Sequence, residues 1–258
     1  DDTVAWAYLP GAHFVAGDIW LQSDILSETS EDFAHTLFHE LGHAIGLKHP
    51  FEEENGFPKL DASLEGADYT VMSYTVSARF PDATWADLWP QTYMYLDIKA
   101  LQELYGTDTV TTGGADTYNF DFSNRYYQTI WDASGTDTLS VSGGAKDVHL
   151  NLASGSWSNV GTTIEYHDGS KFFADGYTVY IADDTLLENA TGASGDDTLE
   201  GNDAGNRLKG NAGNDTLVGG GGSDVLTGHA GNDVQLGGAG NDQLWAGGGD
   251  LGADTRVG

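Results

Sequence analysis

From Gly192 onward the chain repeats itself every nine residues, in units that start at Gly192, Gly201, Gly210, Gly219, Gly228 and Gly237. A period this short belongs to solenoid architectures, in which each repeat buries its apolar residue only by stacking on its neighbours. The units follow G-x-x-G-x-D-x-L-x approximately, as in Gly210-Asn211-Ala212-Gly213-Asn214-Asp215-Thr216-Leu217-Val218. Glycines let successive backbone carbonyls turn toward an ion, the sixth-position carboxylate adds a hard oxygen ligand, and the single Leu points into a thin core. The expected product is a parallel β-roll that holds several calcium ions. A flexible Gly-rich linker would lack the phased Asp and Leu.

The sixth-position acids are Asp197, Asp215, Asp224, Asp233 and Asp242. The second unit has Asn206 there and is expected to bind calcium less strongly. The fifth reads Val234-Gln235-Leu236, with Gln where Leu belongs, which predicts fraying or a local shift near the end of the roll. This is the RTX nonapeptide pattern. The chain as a whole is acidic, 40 Asp and Glu against 10 Lys and Arg, for a formal net charge of −30. Such a charge repels nucleic acid and anionic membranes and is relieved by multivalent cations. Without cysteine, a disulfide framework and Cys-ligated zinc are both excluded, which leaves His and carboxylates as metal ligands. No apolar run is long enough to insert into a bilayer.

Upstream, Thr3 to Leu9 and Gly17 to Gln22 read as a strand pair separated by turn chemistry around Pro10-Gly11. Ala34, Leu37, Phe38, Leu41 and Ile45 then fall at helical spacing, with Thr29-Ser30-Glu31-Asp32 as cap and acidic first turn, predicting a helix from Ser30 to Ile45. Residues Phe51 to Pro90 resist a regular reading. Tyr93 to Tyr105 regains helical spacing and ends at Gly106. From Thr107 the composition turns to Gly, Asp, Thr and alternating apolar residues, with strands expected at 148–152 and 177–181. The fold class is therefore read as α+β followed by an all-β roll, divided at 1–106 and 107–258.

The first helix carries His39-Glu40-Leu41-Gly42-His43, and the chain continues through Gly46 to His49, completing H-E-x-x-H-x-x-G-x-x-H. His39 and His43 lie one turn apart, so both imidazoles project from one face toward a single metal, while Leu37, Leu41 and Ile45 are expected to hold the other side. A straight helix would carry His49 away, and Gly46 supplies the freedom for a sharp turn back. Three neutral imidazoles leave one zinc ion its full charge and an open position where water becomes nucleophilic near neutral pH. Glu40, beside it, is expected to act as general base and then as proton donor to the leaving amine.

With these residues in hand the chain resembles the metzincins and, within them, the serralysins. Thr70-Val71-Met72-Ser73-Tyr74 looks like their Met-turn. The resemblance implies that Met72 floors the zinc site and that Tyr74 is a displaceable further ligand whose phenol stabilises the tetrahedral intermediate. It further implies that Gly17, Asp18, Ile19 and Trp20 form the edge strand that pairs with extended substrate, so that specificity is broad. Leu96 to Gly106 is similar to the helix that closes the catalytic domain. Trp131 to Asp137 is similar to an additional calcium loop, with Asp132 and Asp137 as ligands; an Asx-rich turn is the other reading of the same residues. His13, His35, His149, His167 and His229 are read as surface or packing residues.

Taken together, the resemblance implies a metzincin-type zinc catalytic domain, partial in this chain, followed by the β-roll. It implies a secreted, extracellular bacterial endopeptidase, monomeric, acting on proteins and peptides and open to a small proteinaceous inhibitor of the serralysin type. The family's upper catalytic strands and its C-terminal export signal are expected to lie outside these residues. Two other readings stay open: a calcium-binding structural or adhesion module with an inactive protease remnant, and a fragment made by autolysis.

Overall fold

A computed structural model describes residues 5–11, 16–21, 30–53, 58–108, 113–247 and 253–258, with the backbone alone for residues 30–32. In chain order the elements are β1 (Ala5–Ala7), β2 (Ile19–Leu21), α1 (Ser30–Ala44), β3 (Trp85–Ala86), α2 (Tyr95–Tyr105), β4 (Thr117–Asp121), β5 (Gln128–Ile130), β6 (Thr138–Ser142), β7 (His149–Asn151), β8 (Trp157–Ser158), β9 (Ile164–His167) and β10 (Phe172–Asp175). They continue as β11 (Val179–Ile181), β12 (Asn189–Thr191), β13 (Thr198–Glu200), β14 (Arg207–Ala212), β15 (Thr216–Gly221), β16 (Val225–Ala230), β17 (Val234–Ala239), β18 (Gln243–Trp245) and β19 (Thr255–Val257). The expected residues Thr3, Val4, Gln22 and Thr29, and the cap side chains of Ser30, Glu31 and Asp32, lie outside what is described, as does His13. No described helix is long and apolar enough to cross a membrane.

Two compact units emerge. The first comprises Asp1–Thr107 with Tyr127–Thr129 and Ile164–Asp175. In it β1 and β2 pair antiparallel, Ala5 opposite Leu21 and Ala7 opposite Ile19, and both pack on α1. The buried face of α1 is the one bearing His39, Glu40 and Gly42, whereas Leu37 and Leu41 remain more than a third exposed. The leucines thus lie on the far side as expected, but among the described residues nothing buries them there. Among the described residues the helix packs through its polar face, because that face meets the Met72 turn.

The irregular stretch after α1 is held by buried polar contacts, which leave no hydrophobic period in the sequence. Asp68, fully buried, accepts from Ser77 Oγ at 2.7 Å, the Arg79 amide at 3.0 Å and Tyr127 Oη at 2.5 Å. Arg79 Nη1 reaches Asp175 Oδ2 at 2.8 Å. Phe80 packs against Tyr166 and Phe173 of the β9–β10 hairpin, which joins β3 in an antiparallel sheet.

The second unit comprises Asp108–Tyr126, Ile130–Thr163 and Gly176–Gly258. Its repeats alternate between two parallel sheets, ordered β18-β16-β14-β12-β6-β4 and β19-β17-β15-β13-β7. The nine-residue period therefore places every second unit in the same sheet. One sheet stacks Leu139, Ala190, Leu208, Leu226 and Leu244 in register, and the other stacks Leu150, Leu199, Leu217, Gln235 and Arg256. The aliphatic rungs of these ladders form the core between the sheets. Gln235 causes neither fraying nor a shift. It stays fully buried in register, donating from Nε2 to Trp245 O at 2.8 Å and accepting from Arg256 Nε at 3.2 Å. A buried amide with partners on both ends keeps the strand in place.

Candidate functional site

The three motif histidines converge. His39 Nε2 and His43 Nε2 lie 3.2 and 3.1 Å from His49 Nε2. The chain returns because α1 ends at Ala44 and the backbone turns at Gly46, at φ +109°, where Gly46 N donates to His43 O and Leu47 N donates to Gly42 O at 2.8 Å. Tyr105 Oη donates to Ile45 O at 2.6 Å and fixes the last turn.

The ring orientations are set by backbone carbonyls. His39 Nδ1 meets Val71 O at 2.8 Å and His43 Nδ1 meets Leu47 O at 2.9 Å. A carbonyl only accepts, so both rings carry their proton on Nδ1 and turn an Nε2 lone pair inward. His49 Nδ1 faces Glu52 Oε2 at 3.1 Å. Two lone pairs aimed at a third ring nitrogen repel unless a cation lies among them. The spacing is close to the edge of about 3.3 Å expected for nitrogens around a tetrahedral zinc. Burial lowers the pKa of His39 to about 4, so its ring stays neutral and ligand-competent at neutral pH.

Glu40 follows His39 on the same helix. It is buried, and its Oε2 has no hydrogen-bond partner among the described residues. Burial raises its pKa, as suits a carboxylate that must both take and return a proton. Tyr74 Oη lies 2.9 Å from His49 Nε2. Burial, then the charges of Glu40 and Glu52, raise the pKa of Tyr74, so its phenol keeps its proton. Phe51 stacks on His49 with centroids 4.9 Å apart.

Met72 is buried beneath α1. A Cβ placed on Gly42 would meet Met72 Sδ at 2.4 Å, so the unnamed fourth position of the histidine motif must be Gly for the thioether to fit. A residue that sequence reasoning missed, Asp97 of α2, anchors the same turn. Its carboxylate accepts from Thr70 Oγ1 at 2.5 Å, Val71 N at 2.8 Å and Met94 N at 2.9 Å. Leu96, Ala100, Leu101 and Leu104 on the same helix give helical spacing but no sign of its role. Thr70, Met72 and Asp97 also border an apolar cavity of about 570 Å³ with Leu47, Leu60 and Leu104.

The acids of the roll form two ladders. Asp197 N donates to Asp215 Oδ1, Asp215 N to Asp233 Oδ1 and Asp233 N to Asp254 Oδ1, at 2.9, 2.9 and 3.0 Å. On the other ladder Asn206 N donates to Asp224 Oδ1 at 2.8 Å and Asp224 N to Asp242 Oδ1 at 3.0 Å. One oxygen of each rung is thus fixed by a backbone amide. Among the described residues the buried Oδ2 of Asp215 and of Asp224 has no hydrogen-bond partner, and each turns toward the glycine that opens its unit. Orphaned carboxylate oxygens beside turned glycine backbone suit a hard cation.

Asp197 differs, with both oxygens bonded by the amides of Val148 and Ala193. Asn206 differs more: Oδ1 accepts from Asn202 N, and Nδ2 donates to Glu188 O at 3.0 Å and to Asn202 Oδ1. Its amide replaces an ion with hydrogen bonds. Asp254, unforeseen because 21 residues rather than 18 separate it from Asp233, extends the first ladder.

Asp132 and Asp137 come together with Asp116, their oxygens within 4.8 Å of one another. Tyr118 Oη donates to Asp132 Oδ2 at 2.5 Å, and the buried Oδ2 of Asp137 has no hydrogen-bond partner among the described residues. Burial raises the pKa of Asp137, and Asp132, Glu188 and Asp116 add to the rise. No local pattern links Asp116 to acids so far along the chain. Of the incidental histidines, His35 stacks on Trp89, and His149 bridges Tyr177 Oη and Glu200 Oε1, each at 2.8 Å.

A family profile described as "RTX calcium-binding nonapeptide repeat (4 copies)" matches residues 191–226, 200–235 and 227–250. The chain is 38% identical over 219 residues to Serralysin C of Dickeya chrysanthemi, covering 76% of this chain and 43% of that protein. It is 34% identical to Serralysin of Proteus mirabilis, covering 67% and 36%, and 33% identical to Metallopeptidase AprA of Pseudomonas marginalis, covering 80% and 46%. The chain thus spans less than half the length of these curated relatives.

Proposed function

The chain belongs to the serralysin family, and on that premise we propose that it is part of a secreted, zinc-dependent endopeptidase that hydrolyses peptide bonds of extracellular proteins. The observation that carries this reading is the convergence of His39, His43 and His49 through Nε2, with each Nδ1 of His39 and His43 held by a carbonyl. We assign residues 1–106 to a metzincin-type catalytic domain and 107–258 to the calcium-binding domain, with Tyr127–Thr129 and Ile164–Asp175 packing into the first compact unit.

His39, His43 and His49 would hold the zinc, with Tyr74 as a displaceable fourth group. Zinc, when bound, supplies a Lewis acid that activates water and polarises the scissile carbonyl. Glu40 removes the proton from the attacking water and delivers it to the leaving amine. Tyr74, kept neutral, donates its phenolic hydrogen to the carbonyl oxygen as charge builds there. Gly17, Asp18, Ile19 and Trp20 are the strand residues that would orient an extended peptide by backbone hydrogen bonds, which favours broad specificity.

Calcium would be held by Asp197, Asp215, Asp224, Asp233 and Asp242, and separately by Asp132 and Asp137 with Asp116. The roll then folds where calcium is plentiful, outside the cell. The partners implied are proteins, peptides and a small proteinaceous inhibitor. Replacing Glu40 with Ala tests the mechanism: zinc stoichiometry should hold while hydrolysis falls at least about a hundredfold. A variant as active as the parent would refute the assignment.

A further inference from the structure

Tyr74 reaches the histidines from the surface. Its side chain is 67% exposed, yet its Oη lies 2.9 Å from His49 Nε2. An exposed phenol keeps such an aim only when the backbone beneath it is fixed. The residues on either side supply the fixing. Ser73 Oγ donates to Glu65 Oε1 at 2.9 Å, and Thr75 Oγ1 donates to the same oxygen at 2.8 Å. Ser73 Oγ in turn accepts from the Thr75 amide at 3.0 Å, and the Thr75 carbonyl accepts from the Ala67 amide at 3.0 Å. Glu65 is itself placed by Gly66, where a Cβ would meet the Ala78 amide nitrogen at 2.2 Å, so glycine is what lets these two stretches of backbone approach.

One carboxylate oxygen therefore gathers both ends of the segment that carries the phenol, and it does so through the neighbours of Tyr74 rather than through the phenol. We propose that Glu65 is a positioning residue for Tyr74, clamping Ser73 and Thr75 so that the phenolic hydroxyl meets the charge that develops on the scissile carbonyl oxygen. This deepens the endopeptidase reading and rests on it for the part Tyr74 plays in the reaction. Because both hydroxyls meet one acceptor atom, the carbonyl oxygen of a glutamine can replace the carboxylate oxygen, and the clamp does not require the negative charge. A donor misplaced by about 1 Å loses much of its effect on the transition state. Such a clamp acts on turnover and leaves ground-state binding of the peptide alone.

The test compares the full zinc- and calcium-loaded chain with Glu65→Ala, Glu65→Gln, Thr75→Val and Tyr74→Phe on one fluorogenic peptide. In Glu65→Ala, kcat should fall about 10- to 100-fold while KM and zinc stoichiometry hold. Thr75→Val, which removes one of the two donors, should lower kcat in part, and it carries the same comparison where Glu65→Ala does not fold. Glu65→Gln should stay near the parent. In a Tyr74→Phe background Glu65→Ala should cost nothing further, which separates action through the phenol from general loss of structure. Crystal structures of the zinc-loaded parent, Glu65→Ala and Glu65→Gln read the phenol without turnover: its hydroxyl should leave the histidines in Glu65→Ala alone. Chelator-sensitive cleavage unchanged in Glu65→Ala, or lowered equally with and without the Tyr74 hydroxyl, overturns the clamp and leaves the protease reading intact. A phenol displaced in Glu65→Ala alone, in a chain whose parent cleaves nothing, upholds the clamp and refutes the protease reading. A parent that cleaves nothing, with Tyr74 in place in all three structures, refutes both.

Discussion

Asp97 and His39 are joined through one residue: the Val71 amide donates to Asp97 Oδ2 at 2.8 Å, and the Val71 carbonyl accepts from His39 Nδ1 at 2.8 Å. The buried carboxylate of α2 therefore sets the tautomer and aim of a histidine it does not touch. Asp97→Ala would leave Thr70 Oγ1, Val71 N and Met94 N without their acceptor, each at a cost of about 1–3 kcal/mol. Zinc affinity should fall about 10- to 100-fold. Competitive zinc titration and chemical denaturation measure the two effects, and Asp97→Asn should recover part of both. Unchanged zinc affinity in Asp97→Ala would remove Asp97 from the support of the site.

Gly42→Ala places a methyl group 2.4 Å from Met72 Sδ. Overpacking of this kind costs about 1–3 kcal/mol and forces Met72 or α1 to move. Thermal melting should drop and zinc binding weaken together. A variant with parental stability would mean that the thioether relocates freely, and that the Met-turn is not packed tightly under α1.

Much of this was legible in the sequence, for reasons that can be named. The repeats declare themselves because one Leu and one Asp per nine residues must phase for the roll to form, and Leu208, Leu217 and Leu226 do stack as that phase requires. The histidine spacing is equally local. Asp97 and Asp116 escaped because their partners are remote backbone or remote acids, which leave no period. Gln235 looks like a defect in the repeat pattern because its partners, Trp245 O and Arg256, come from later turns. Leu37 and Leu41 do lie on the face of α1 away from the histidines, but helical spacing shows that a stripe exists, not what covers it, and among the described residues that face is left exposed.

Protons should partly replace calcium in the roll. Burial raises Asp215 to about 7 and Asp197 to about 6 against the pull of their backbone hydrogen bonds, and neighbouring carboxylates add to the rise. Both values lie above the unfolded carboxylate value of about 3.9. Their contribution to stability is therefore fully present below about pH 4 and is lost as pH rises through 6 to 7. Without calcium the roll should melt at a higher temperature at pH 5 than at pH 8, and the increment from added calcium should be largest at pH 8. Asp215→Asn should flatten the dependence. A calcium-free melting temperature that rises with pH would contradict the ladder electrostatics.

Asn206→Asp should convert a hydrogen-bonded rung into an ionic one. The new carboxylate would face Glu188 O and Asn202 Oδ1, which now accept from the amide. Without calcium this should cost about 1–3 kcal/mol, and saturating calcium should restore most of it. Calorimetric melting at low and high calcium reads the difference. A loss that calcium does not repair would show that this turn cannot take an ion.

The central claim is that His39, Glu40, His43, His49 and Tyr74 form a zinc protease site. Casein hydrolysis by the full chain with zinc and calcium, against a 1,10-phenanthroline-treated control, tests it most directly. The account expects cleavage that the chelator abolishes and added zinc restores. Cleavage indifferent to the chelator, or no cleavage by a chain shown to bind one zinc, would contradict it and favour a calcium-binding module with an inactive protease remnant.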